Sequence, residues 1–244
     1  MYRWIALSLL LLSGCAGTGM SGQRAQNSAK IHTELAGLYF ERAQMGAALG
    51  EITLALDAKS NYAPAYNMRA LVHMALHEDQ EAEADFQHSL SIDKSDSGTQ
   101  SNYGWFLCQR GKEKESITHF VVALKNPLYQ TPEQAYLNAA VCSQKVGNNA
   151  IAEDFYQRAL TVRPGLPQAL LGMAQLNFAK EDFVAAKRYF NEYAAKNENL
   201  TADELWLAVR IERQLGDRNS TASYSMKLRN LFPDSKEARL LNAN

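Results

Sequence analysis

Three cysteines and one histidine pair are the residues whose types and spacing could carry chemistry in this chain. Cys15 directly follows an apolar run, residues 4–12, and the small pair Ser13 and Gly14. Cys108 and Cys142 stand 34 residues apart and could join as a disulfide or rest as two buried thiols. His73 and His77 have the i, i+4 spacing of two zinc ligands on one helix face. Met74, Ala75 and Leu76 lie between them, so the glutamate that a metalloprotease motif needs after its first histidine is missing. No third ligand is evident, and we read the pair as incidental, with no metal. His32, His88 and His119 are scattered. No glycine-rich phosphate loop occurs, and no serine sits in a nucleophile-elbow context. The carboxylates fall on helix faces where solvation accounts for them. The chain therefore reads as a non-enzyme with no cofactor and no small-molecule substrate.

The elements that would position these residues begin at the N-terminus. Arg3 precedes the apolar run, which is too short to span a bilayer and has the length of a signal-peptide core. With Leu12, Ser13, Gly14 and Cys15 after it, the segment resembles the bacterial lipobox. The resemblance implies cleavage before Cys15 and acylation of its thiol. Residues 1–14 are then a lipoprotein signal peptide. Two acyl chains suffice for stable anchoring, since each buried methylene contributes ~0.8 kcal/mol. Ala16 in place of aspartate after the cysteine implies sorting to the outer membrane, with the protein facing the periplasm. In that oxidising compartment a Cys108–Cys142 bridge would contribute ~3–4 kcal/mol by the chain-entropy estimate. Residues 15–28, rich in Gly, Ser, Thr, Gln and Asn, read as the lipidated cysteine and a flexible tether.

The 244 residues are 46% apolar and 21% charged, as in folded proteins, and the net charge is −1. Phosphate contacts need a basic stripe, so nucleic acid is not expected as a partner. Periodicity gives the fold. Ala36, Ala70, Gly104, Ala140, Ala174 and Ala208 recur at steps of 34 residues, with one step of 36. Ala48, Ala82, Ser116, Ala152, Ala186 and Ser220 form a second lattice. Ile52, Phe86, Phe120, Tyr156, Phe190 and Tyr224 form a third, which carries the large side chain. Small residues let two helices approach, and the large one fills the space beside them. This is the pattern of the tetratricopeptide repeat. It predicts an all-α, right-handed superhelical solenoid of six repeats over residues 29–234: 29–62, 63–96, 97–130, 133–166, 167–200 and 201–234. The two extra residues fall between Asn126 and Pro132. Residues 235–244 form a C-terminal cap or tail, with Asp234 and Glu237 at capping-box spacing. Acidic residues at 79, 81, 83 and 85 are explained by the dipole at a helix N-terminus.

By resemblance to tetratricopeptide proteins, positions 2, 5, 9 and 12 of each repeat line a binding groove. Here these include Phe40, Asn67, Leu71, Met74, Trp105, Leu137, Val141, Leu171, Gln175 and Phe178. The set is apolar, which suits a hydrophobic strand or helix of a partner, with Trp105 as its anchor. Alternatively, part of the set packs against the neighbouring helix.

A lipobox followed by six such repeats is similar to the type IV pilus biogenesis/stability lipoproteins, the PilF/PilW family of secretin pilotins. The sharpest markers are the run from Asn102 to Cys108 and the run from Asn138 to Cys142. The resemblance implies binding of pilus secretin subunits and help with their localisation and multimer assembly in the outer membrane. It implies that Cys15 is the lipid site and that Cys108 and Cys142 are a disulfide pair. It implies engagement mainly through the first repeats, which favours Tyr39, Phe40, Leu71 and Met74. A tetratricopeptide adaptor for another envelope machine, serving barrel assembly or murein enzymes, is the alternative.

Overall fold

The computed structural model describes residues 18–241, and the predicted signal peptide and Cys15 lie outside them. Among the described residues the chain is all-α, with thirteen helices and no strand. It divides between Lys94 and Ser95 into two compact units.

The first unit holds two helical hairpins. Helix α1 (Thr18–Glu41) pairs with α2 (Met45–Ala58), and α3 (Ala63–Ala75) pairs with α4 (Asp79–Ile92). Its apolar centre joins Ala29, Ala36, Ala48, Ile52, Ala55, Tyr62, Ala65 and Val72. Here the tether reading needs correction, because residues 18–28 are helical as the first turns of α1. The stretch has no proline, and Gln, Arg, Ala and Lys are good helix formers. Tertiary contacts then hold it: Ala29 is fully buried, and the Lys59 ammonium donates to the Gln26 side chain. Low hydrophobicity was a poor guide here, since a helix needs only one buried stripe.

The second unit holds four hairpins and a short last helix. They are α5 (Ser97–Gln109) with α6 (Glu113–Ala123), α7 (Pro132–Lys145) with α8 (Asn149–Val162), α9 (Pro167–Ala179) with α10 (Phe183–Ala194), and α11 (Ala202–Gln214) with α12 (Arg218–Leu231). Helix α13 (Lys236–Leu240) packs on α11 and α12. Its N-cap is Ser235, whose hydroxyl accepts from the Ala238 amide at 3.0 Å, so the cap lies one residue later than the Asp234 spacing implied. A full capping box occurs instead at α11, between Thr201 and Glu204. By covering Leu205 and Val209, α13 buries the face that a following repeat would otherwise cover. The insertion falls in the connection between α6 and α7.

Side-chain size explains the packing. All six residues of the first lattice are buried, and the third is buried from Ile52 to Phe190 and loosens at Tyr224. A Cβ on Gly104 would lie 3.1 Å from the Phe120 ring and from the Ser116 carbonyl oxygen, so lattices one, two and three meet at one point. A fourth lattice lies in the turns within the repeats. Ala43, His77, Gly111, Gly147, Glu181 and Gly216 all take left-handed backbone, with φ between 57° and 76°. Three of the six are glycine, which adopts that conformation without steric cost.

Candidate functional site

In the first unit, Asn67, Leu71 and Met74 follow one another at i, i+4, i+7 on α3, and all three are half-buried. Tyr39 and Phe40, at the end of α1, are half-buried and pack against the unit's apolar centre. Each of these side chains is held by its own helix and keeps an edge open to solvent. That is the condition for an apolar contact with a partner helix or strand.

In the second unit, Trp105 on α5 and Val141 on α7 are half-buried against a core that includes Cys108, Phe120 and Leu137. Leu137 itself is only 5% exposed and belongs to that core, so it is not a groove residue. It lies in an apolar cluster shared with Cys108 of α5, Phe120 of α6 and Tyr156 of α8, which a position count within one repeat does not capture. Leu171 and Phe178 on α9 are half-buried against the next core cluster, and Gln175 between them is exposed. Phe178 meets Phe183 edge-on, with ring centroids 5.4 Å apart. The groove set is thus partly packing and partly surface, and Leu137 is wholly packing.

The Sγ atoms of Cys108 and Cys142 lie 2.01 Å apart, at bonding distance, with Cα atoms 5.9 Å apart. Both residues are fully buried, on the neighbouring helices α5 and α7.

The histidine pair does not share a helix face. Helix α3 ends at Ala75, and His77 sits in the turn with φ 61°. His73 Nδ1 instead lies 2.5 Å from a Glu78 carboxylate oxygen. Among the described residues no group of three His, Cys, Asp or Glu is placed to hold a metal ion.

Asp85 departs from the dipole reading. It is buried and receives two hydrogen bonds from Arg69, each 2.7 Å long. The bidentate bond to Asp85 holds the Arg69 guanidinium above its ordinary range, against the opposing effect of burial. Opposite charges at inward positions of one hairpin were the available sequence signal. Elsewhere, burial pushes Tyr156 up to about 12, and its hydroxyl lies 3.0 Å from the Gln144 side-chain oxygen. Tyr193 is also pushed up to about 12, first by burial and then by its 2.6 Å bond to Glu204. Among the described residues no helix is long and apolar enough to cross a membrane.

Hairpins with small residues at the crossing and a large one beside it define a tetratricopeptide array, a class built for protein–protein contact. The family model described as Tetratricopeptide repeat matches residues 63–96. A crystal structure of PilW, described as a widely conserved type IV pilus biogenesis factor, is 32% identical. It covers 87% of this chain and 97% of its own, with a TM-score of 0.79. The type IV pilus assembly protein PilF of Pseudomonas aeruginosa is 24% identical over 93% of this chain and 91% of its own length. A structure of Pseudomonas aeruginosa PilF superposes with a TM-score of 0.85, covering 90% of this chain and 99% of that one. The chain belongs to the PilF/PilW family of tetratricopeptide proteins.

Proposed function

We propose that this protein is a type IV pilus biogenesis factor that binds pilus secretin subunits and promotes their localisation and multimer assembly in the outer membrane. The observation that carries the reading is the near full-length likeness to PilW, a pilus biogenesis factor, at 32% identity. The half-buried apolar side chains of α1, α3, α5 and α9 support a protein-binding role. In this reading the lipid on Cys15 supplies the destination, holding the protein on the periplasmic face of the outer membrane. The Cys108–Cys142 pair is a disulfide, formed in that oxidising compartment. The repeats perform no chemistry. They cover a secretin segment that would otherwise pair with another copy.

The test is an outer-membrane blot for detergent-resistant secretin multimers, with and without the gene. Multimers should vanish in the deletion, return with wild type, and not return with Cys15→Ser. Unchanged multimers in the deletion would end the secretin reading. At the surface itself, Leu71→Asp and Trp105→Ala should each weaken secretin binding while the helical signal is retained. Binding unaltered by both would remove these residues from the interface.

A further inference from the structure

The last repeat holds a row of arginines that the reading above does not use. Arg210 and Arg213 lie on α11, and Arg218 opens α12. The Arg210 guanidinium lies 4.6 Å from the Phe178 ring centroid and 5.9 Å from that of Trp206. The Arg213 guanidinium lies 5.5 Å from the Trp206 ring. Aromatic ring and guanidinium therefore alternate from Phe178 to Arg213. Beyond Trp206, Arg213 and Arg218 both line a cleft of about 320 Å³ whose other walls are Gly216, Thr221 and Ala222.

Among the described residues none of these three arginines is ion-paired with a carboxylate. Arg210 Nε is buried without a hydrogen-bond acceptor. Burial lowers the Arg210 guanidinium from its ordinary range, and Asp203 opposes this only through space. The other nearby carboxylates are engaged elsewhere. Glu204 caps α11 and holds Tyr193, Glu212 pairs with Lys187 at 2.7 Å, and Asp217 caps α12. Glu237 pairs with Lys236 at 3.3 Å. Arg213 donates one long bond, 3.4 Å, to the Leu241 carbonyl oxygen. The ring contacts orient the Arg210 and Arg213 guanidiniums, whose remaining donors suit a planar anion.

We propose that the row formed by Phe178, Arg210, Trp206, Arg213 and Arg218 is a docking site for an acidic peptide segment of a partner protein, which supplies the missing carboxylates. Charge complementarity selects the occupant: spaced guanidiniums, each set against a ring or a cleft wall, match spaced carboxylates on one chain. A peptide fits better than a lipid surface, because Arg210 is half-buried and held between rings instead of standing out from the surface. The site goes beyond the secretin reading and does not require it.

The test uses the full chain and a fluorescein-labelled decapeptide of alternating Glu and Ser, with a Gln-for-Glu counterpart as reference, read by fluorescence anisotropy. The acidic peptide should bind more tightly at low than at high ionic strength, and the Gln peptide should bind at least tenfold more weakly. Arg210→Gln and Arg213→Gln should each weaken the acidic peptide by about tenfold, as loss of a close charge pair does, whereas Lys227→Gln should not. Arg213 lines the open cleft, so its variant tests the site even if Arg210→Gln disturbs folding. Equal binding of the two peptides, or equal effects of the arginine and Lys227 changes, would overturn the proposal. So would arginine-dependent sedimentation with phosphatidylglycerol vesicles in the absence of peptide binding, which would assign the row to a lipid surface.

Discussion

Three glycines inside helices provide a graded test of how closely the repeats pack. Replacement by alanine brings the same intrinsic gain at each, ~1 kcal/mol of helix propensity. What differs is the space for the new methyl group. At Gly37 the nearest atom is Met68 Sδ at 3.9 Å, an ordinary contact, so Gly37→Ala should stabilise by ~0.5–1 kcal/mol. At Gly104 the methyl would meet Phe120 and the Ser116 carbonyl at 3.1 Å. Neighbours must give by a few tenths of an ångström, and the change should come out near zero, within ~1 kcal/mol either way. At Gly172 the methyl would sit 2.3 Å from Tyr156 Cζ, 2.6 Å from Cε1 and 2.7 Å from the hydroxyl oxygen. The ring would have to withdraw by about 1 Å to reach contact at 3.4 Å. It is almost fully buried and bonded to Gln144, so it has little room to do so. Overpacking of ~1–3 kcal/mol plus ~1 kcal/mol for the strained hydroxyl bond outweighs the propensity gain, leaving a net loss of ~1–3 kcal/mol. Urea unfolding followed by circular dichroism ranks the three variants. In the Gly172→Ala background, Tyr156→Leu should cost less than it does alone, by ~1 kcal/mol of non-additivity. A Gly172→Ala protein as stable as wild type, or a ranking in which Gly104→Ala is the worst, would refute the packing reasoning.

Alkaline titration gives a second prediction. Tyr156 is pushed up to about 12 in the fold against 10.0 unfolded, so its neutral form is favoured by folding. That contribution is fully present below pH 10 and is lost as pH rises through 12, at ~2–3 kcal/mol in total. Tyr156→Phe should flatten the decline in stability measured by rapid urea unfolding between pH 9.5 and 12. In the turns, His77 and Glu181 hold φ of 61° and 62° with side chains that disfavour it. His77→Gly and Glu181→Gly should each stabilise by ~0.5–1 kcal/mol, the relief of left-handed strain less the entropy of glycine, read as a rise in Tm. Finally, Asp85→Asn weakens a buried acceptor with two 2.7 Å bonds from Arg69. It should destabilise the first unit by ~2–3 kcal/mol, discounted because Arg69 is a third exposed, and hydrogen exchange in α3 and α4 would show the loss there.

The three size lattices were legible because they encode helix crossing, which repeats from hairpin to hairpin. The turn lattice was only half legible: Gly111, Gly147 and Gly216 mark it, but Ala43, His77 and Glu181 take the same backbone without a glycine to signal it. The same turn lattice bears on the His73/His77 spacing, since the left-handed turn at His77 ends the helix face that zinc spacing presumes. Helix α1 began earlier than composition suggested. Further along it, Lys59 donates to Gln26 and Ala29 is fully buried, and local polarity does not report such contacts. Leu137 departs from the groove because position within one repeat cannot show that its side chain joins a cluster drawn from several helices.

Gly172 shows how far a repeat pattern can be pushed once sizes are read in pairs. Its place in the repeat is held by Met68, Asn102, Asn138 and Trp206 in the neighbouring hairpins, so glycine there is an exception. The third lattice carries a tyrosine at 156 where Phe86, Phe120 and Phe190 stand in the neighbouring repeats. The extra hydroxyl of Tyr156 reaches 2.7 Å from where a Cβ of residue 172 would be, and the ring lies closer still. A tyrosine on one hairpin and a glycine on the next are therefore one feature, a local solution to a side chain that is too long for the lattice. Paired departures of this kind record contacts between repeats. The half-buried groove positions are covered only in part by their own hairpins, and for that reason their sequence reports an apolar surface without reporting what covers the rest.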